Sequence, residues 1–385
     1  MSVSKSQKFV VVSVCLTLLV GTSFAQKITK VQVVPGESPY IQGAKPMFAV
    51  IPRANNAPAP YNPDVQVPIW TGTFVFNGTT FTYHMVGTDP AAGSATSNVP
   101  VVIIPLKFHF TDGTNLSASQ MVCGDVKNTK YRVKNSPLIK NATFTPGGTN
   151  VGTTQYVDAF QRANFWSKVS TTSPNYHVRL SPVSVKPLQT INVGANGQTA
   201  AGPCARIGFV DIDFFDNIAM NLLTSLSIPA NTLPLFVDYN TFWFIGNINN
   251  CCVLGYHSTN NAGTQAYAVG AYSDPGIFNA AGIRDIHALS HEIGEWMDDP
   301  LIPAQNIVPP WGHVGQVGGC SNVLEVGDAV TGKAFTVTTG GLFPFTYHPE
   351  DLVFLPWFAR ISPSTSVNGW YTFLNGFAAP QAVCH

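Results

Sequence analysis

The sequence predicts an α+β fold in which a β-rich first part precedes a mixed-sheet region whose last strand runs into a functional helix. Three observations carry that expectation. Alternating, β-branched segments dominate up to about residue 152, and Asn77-Gly78 between two of them is a type I′ hairpin signal. From residue 153 onward, runs with helical spacing alternate with short apolar runs. The best-patterned helix, 282–297, carries two histidines and two glutamates in a chain with only 10% charged residues.

In chain order, residues 1–25 read as an export signal. Lys5 and Lys8 precede an apolar run at 9–20, and Ser23-Phe24-Ala25 puts small residues at the cleavage positions. That run is too short for a good membrane span, so export to the extracellular space or periplasm is expected, with no membrane anchor. A β-rich region is expected over 26–152 and a second domain over 153–385. Residues 26–68 are rich in Pro and Gly, with one short strand near 47–51. Strands at 72–76 and 79–85 flank the hairpin turn, and 99–110 is a longer, mostly apolar strand. Helical spacing follows at 154–168, then a strand at 176–180 and a second helix at 213–227. Asp211, Asp213 and Asp216 fall at the start of that helix, where capping explains them better than calcium does. Strands are expected at 233–240, 253–257 and 264–272, before the helix at 282–297. A terminal strand is expected at 369–373.

Lys and Arg balance Asp and Glu at 20 each, so no basic excess advertises nucleic acid or an anionic membrane. Of seven cysteines, Cys15 falls in the export signal, which leaves six. An even number in an exported chain suggests disulfides rather than zinc knuckles. Adjacent Cys251 and Cys252 are expected to take separate partners, because a bond between neighbours strains the peptide joining them.

The chemistry concentrates at His291-Glu292-Ile293-Gly294-Glu295. Residues i and i+4 stand above one another on a helix, so His291 and Glu295 can share a metal ion. Glu292, rotated by about 100° on the 3.6-residue period, reaches a bound water without being a ligand. This is the zincin arrangement with the second histidine replaced by glutamate. His287 forms a competing pair with His291, but that register puts Ala288 where the general base belongs. It is read instead as a supporting or substrate-facing group. The third ligand must lie downstream, and Glu325 is preferred over Asp328 and His313. Zinc is the expected ion, with manganese or calcium as alternatives, since two carboxylates loosen selectivity and weaken the Lewis acid.

Gly255-Tyr256-His257-Ser258, the Ser290–Glu295 run with Asp299-Pro300, and Glu325-Val326-Gly327-Asp328 together resemble the exordium, or phosphate-induced, protein family. The same landmarks occur in microbial secreted proteins that look like zincin peptidases. The resemblance spans about 251–330 and implies a zincin-like domain with a metal site at His291, Glu295 and Glu325. The reading is a secreted peptidase in which Glu292 takes a proton from a metal-activated water and delivers it to the leaving amine. An extended peptide is expected to pair with the strand at 264–272. The alternatives are a hydrolase of an extracellular polymer, or a non-catalytic exordium-like binding protein if the Gly-rich loop at 314–320 plugs the cleft.

Overall fold

The computed structural model describes residues 46–50, 61–301, 306–312, 320–339 and 344–380. Residues 1–25, expected to be an export signal, together with His313 and residues 314–319, lie outside them. The chain opens with β1 (Met47–Val50), β2 (Ile69–Phe76), β3 (Thr79–Val86), β4 (Thr96–His109), β5 (Asn115–Ser117), α1 (Thr129–Lys134), β6 (Ala142–Phe144) and β7 (Gly152–Thr154). It continues through α2 (Tyr156–Asn164), α3 (Trp166–Val169), β8 (His177–Val185), β9 (Gln189–Asn192), β10 (Gly197–Ala200), β11 (Ile207–Asp211) and α4 (Ile212–Ser225). Then come β12 (Leu233–Tyr239), β13 (Thr241–Phe244), β14 (Cys251–Thr259), β15 (Ala266–Tyr272) and α5 (His287–Asp298). Short hairpins and loops follow.

The fold is mixed α+β. One curled sheet of 11 strands runs β10-β11-β13-β14-β15-β12-β4-β5, with β1 added to β14 and with β8 and β9 added to β4. It takes strands from both sides of residue 152, since β4 pairs in parallel with β12. β14 runs antiparallel to both of its main neighbours, β13 and β15.

Alternation along the strands divides the core. Val101, Ile103, Leu235 and Val237 cluster with Leu289, Ile293 and Trp296 of α5, whereas Val102, Ile104 and Phe236 cluster with Phe215 and Leu223 of α4. The sheet therefore separates α5 from α4. Asp211 caps α4 by accepting from the Phe214 amide at 3.0 Å, and Asp216 accepts from the Tyr267 hydroxyl, so these carboxylates serve packing. The β2–β3 turn has Asn77 at φ 48° and Gly78 at φ 76°, as a type I′ hairpin needs.

Four expectations need correction. α5 begins at His287, not 282, because Asp285 adopts φ 42° and its amide bonds the Ser273 carbonyl at 2.7 Å, holding the chain off the helix. The terminal strand at 369–373 is absent; a turn with Asn368 at φ 55° leads to a single bridge between Val353 and Thr372. Cys251 and Cys252 bond to each other, across a cis peptide that brings their Cα atoms to 3.0 Å. The strand at 264–272 forms as β15, but β12 and β14 pair with its two sides over Ala268–Tyr272 and Ala266–Gly270, so it offers a peptide no free edge there. Cys123 and Cys204 form a disulfide with Cα atoms 6.1 Å apart. Among the described residues no helix is long and apolar enough to cross a membrane.

Candidate metal centre

Every residue of α5 is buried, including both histidines and both glutamates. Two glycines let the helix approach the sheet. Gly255 on β14 pairs with Gly270 on β15; a Cβ on the first would sit 2.8 Å from Glu292 Cγ, and on the second 2.7 Å from Leu289 Cδ2. The helix thus lowers Glu292 onto β14, next to His257.

The side chains converge on Glu295. Its Oε1 lies 2.9 Å from His291 Nε2, without the alignment of a hydrogen bond, and its Oε2 lies 3.7 Å from His257 Nδ1. The backbone N–H groups of Gly327 and Asp328 donate to Glu295 Oε1 at 3.1 and 3.2 Å. Asp328 Oδ1 stands 3.6 Å from His291 Nε2. Glu292 Oε2 meets His257 Nδ1 at 3.0 Å.

Two groups of three place one ligand atom per residue within 4.8 Å of one another: His291, Glu292 and Glu295, and His257, Glu295 and Glu325. Glu295 belongs to both, while the expected ligands His291 and Glu325 sit in different groups. The cluster also contains His257, a residue of β14. Its Nε2 has no hydrogen-bond partner.

Glu350 was missed. Its Oε2 is hydrogen-bonded to His291 Nδ1, its Oε1 accepts from the Gly332 amide at 3.0 Å, and that same oxygen lies 3.1 Å from His287 Nε2. Its own amide donates to Ser290 Oγ at 2.8 Å. The contact between Nδ1 and Glu350 orients the ring so that Nε2 faces Glu295 and Asp328. His287 therefore stands beside Glu350, behind His291, and outside both groups of possible ligands. The rarity of glutamate, five in the chain, was the signal that could have found Glu350.

The electrostatics call for positive charge. Burial raises the Glu292 carboxyl well above its usual range, against the opposing pull of His291 and with help from Glu295, Asp328 and Glu350. Burial does the same to Glu325, reinforced by Glu295 and Asp299. Burial opposes a charged His291, yet Glu295 and Glu350 raise its pKa well above the ordinary value. His257 goes the other way, down to about 3, through burial and then the charge of His291, so it is neutral at pH 7. Both Glu325 oxygens, Glu292 Oε1 and His291 Nε2 are buried without hydrogen-bond partners. Buried polar atoms left unpaired carry a desolvation cost of about 1–3 kcal/mol each, more when charged. A donor set of imidazole and carboxylate with open lone pairs suits a divalent cation.

The other nearby group of possible ligands, Cys123, Cys204 and Asp274, is spent differently, since the two cysteines are bonded to each other. Asp298 and Asp299, at the end of α5, are both buried; Asp298 accepts from Gln161, and Asp299 Oδ1 accepts from the Asn306 amide at 3.0 Å. Compared with protein-family models, curated proteins and solved structures, the chain matches none of them.

Proposed function

We propose that the protein is an exported metal-dependent hydrolase, a peptidase of zincin-like type, with His291, Glu295 and Glu325 as metal ligands and Glu292 as general base. One observation carries the reading: Glu292, Glu295, Glu325 and Glu350, four of the five glutamates in the sequence, lie buried in or directly behind one cluster around His291. A chain this poor in charge has no structural need to bury four carboxylates together, and the uncompensated cost would be several kcal/mol.

A bound divalent cation would supply Lewis acidity and lower the pKa of a water toward neutrality. With that chemistry supplied, Glu292 would act as general base, its carboxylate taking a proton and returning it to the leaving amine. Burial raises its proton affinity, which favours taking up the proton it must later deliver. His257, neutral and 3.0 Å away, fixes the orientation of Glu292. Glu350 holds the His291 ring so that Nε2 stays directed at the site, and the Gly327 and Asp328 amides hold Glu295. Export is supported by the segment at 1–25 and by the Cys123–Cys204 disulfide, since such bonds persist in oxidising compartments.

Elemental analysis of purified protein, wild type beside His291→Ala, tests the site. One zinc per chain, lost in the variant, supports it, and Glu292→Gln should then keep the metal while losing peptide hydrolysis. No stoichiometric metal after incubation with zinc or manganese removes the hydrolase reading. A second reading, a non-catalytic binding protein of exordium type, draws on the closure of the site, where Glu292 and His291 have no solvent exposure.

A further inference from the structure

That closure has a specific author in the chain. β14 pairs with β13 only as far as Val253; beyond it, along Val253–His257, the same edge is taken by β1, which runs parallel to it. Four residues, Met47–Val50, therefore occupy the strand edge that leads to His257. The Phe48 ring stacks on the His291 imidazole, with centroids 3.4 Å apart and planes 10° apart. Phe48 is buried in an apolar cluster with Phe242, Cys252, Leu254, Phe278 and Ala288. Backbone pairing on a strand edge is indifferent to side chains, and specificity comes from the pockets between them.

We propose that the β14 edge is the groove for an extended peptide, that β1 is its intramolecular occupant, and that the Phe48 pocket selects an aromatic or large apolar side chain. This rests on the peptidase reading and names its substrate class. β14 keeps β15 and β13 when β1 leaves, so the sheet does not depend on the occupant. Displacement of β1 uncovers the His291 ring and frees main-chain donors and acceptors beside His257 and Glu292.

The test uses the full chain with a site-specific protease sequence inserted between residues 51 and 60, loaded with zinc and cut after purification. A labelled peptide spanning residues 44–52 is titrated by fluorescence anisotropy, beside the same peptide with Phe48→Ala. The cut protein should keep its near-UV circular dichroism, bind the native peptide, and bind the Ala peptide on the order of tenfold to a hundredfold more weakly, as loss of one buried aromatic ring implies. Uncut full chain carrying Phe48→Ala should also take up the native peptide, whereas uncut wild type should not. Loss of tertiary signal on release of β1 overturns the proposal and makes β1 a structural strand. So does failure of the native peptide to bind either the cut protein or the Phe48→Ala chain, or equal binding of the two peptides. Zinc content measured on the uncut chain separates the readings: absence of zinc sinks the hydrolase, while zinc without peptide binding sinks only the groove.

Discussion

Gly327→Ala is the smallest change that should disable the centre. Gly327 has φ −92° and ψ −36°, an ordinary right-handed conformation, so alanine costs nothing in backbone strain. Space is the constraint. A Cβ at 327 would lie 2.3 Å from His291 Nδ1 and 2.5 Å from Cε1. Relief to an ordinary contact of about 3.5 Å requires the ring or the 325–328 segment to move by roughly 1 Å. The ring cannot yield freely, because Glu350 holds the same Nδ1 and Phe48 is stacked on the imidazole at 3.4 Å. Movement of the segment instead pulls the Gly327 and Asp328 amides off Glu295. Overpacking of this kind costs about 1–3 kcal/mol in stability. Displacing the group that orients a ligand lowers metal affinity by roughly 10- to 100-fold. Urea denaturation and competition with a chromophoric chelator measure the two effects. Gly294→Ala is the control: its Cβ meets the end of the Leu352 side chain at 2.5 Å, which can rotate, and helix propensity returns about 1 kcal/mol. Wild-type metal affinity in Gly327→Ala, with the fold intact, would refute the placement of His291 as a ligand.

Glu350→Gln should lower metal affinity by about 10- to 100-fold with little change in the far-UV spectrum, since the ring loses a charged anchor; chelator competition reads it. Asp298 has its pKa pushed up to about 7 by burial, against the lowering effect of Gln161, so the folded state holds its proton more tightly than the unfolded chain does. The stability this contributes is complete below about pH 4 and is lost as pH rises through 7, at up to about 1.4 kcal/mol per unit. Asp351, also pushed up to about 7 by burial, adds to the decline, so denaturation midpoints from pH 4 to 8 should fall and Asp298→Asn should make the fall shallower. Replacing Cys123 and Cys204 together by serine opens a loop with a sequence separation of 81 and should cost roughly 4–5 kcal/mol by chain entropy, read from urea unfolding.

The sequence made α5 legible because its motif depends only on local spacing: His291, Glu292 and Glu295 take their relative positions from the helix alone. What it hid is long-range. Glu350 is 59 residues from His291, between loops without periodicity, and nothing local marks it as the group behind that ring. The start of α5 was misplaced for the same reason, since pairing of Asp285 with Ser273 overrides helical propensity in between. Strand 264–272 was found, but not that both sides would be paired, because the pairing of a strand depends on segments remote in sequence. Cys251 and Cys252 were expected to take separate partners because a bond between neighbours strains the peptide joining them, yet they bond to each other.

Two glycines in the quoted landmarks gain a physical meaning once the helix is in place. Gly255 leaves room for Glu292, and Gly327 leaves room for His291. Each lies two residues from a member of the cluster, His257 in one case and Glu325 in the other. The small residue and the ligand-type residue therefore arrive together: one segment brings its imidazole or carboxylate only because its backbone can approach the helix within van der Waals contact. That coupling is why Gly-x-His and Glu-x-Gly, individually weak as sequence signals, carry weight beside His-Glu-x-x-Glu. At 327 a single methyl group would collide with the His291 ring, so the 325–328 segment and the helix are fitted closely to one another.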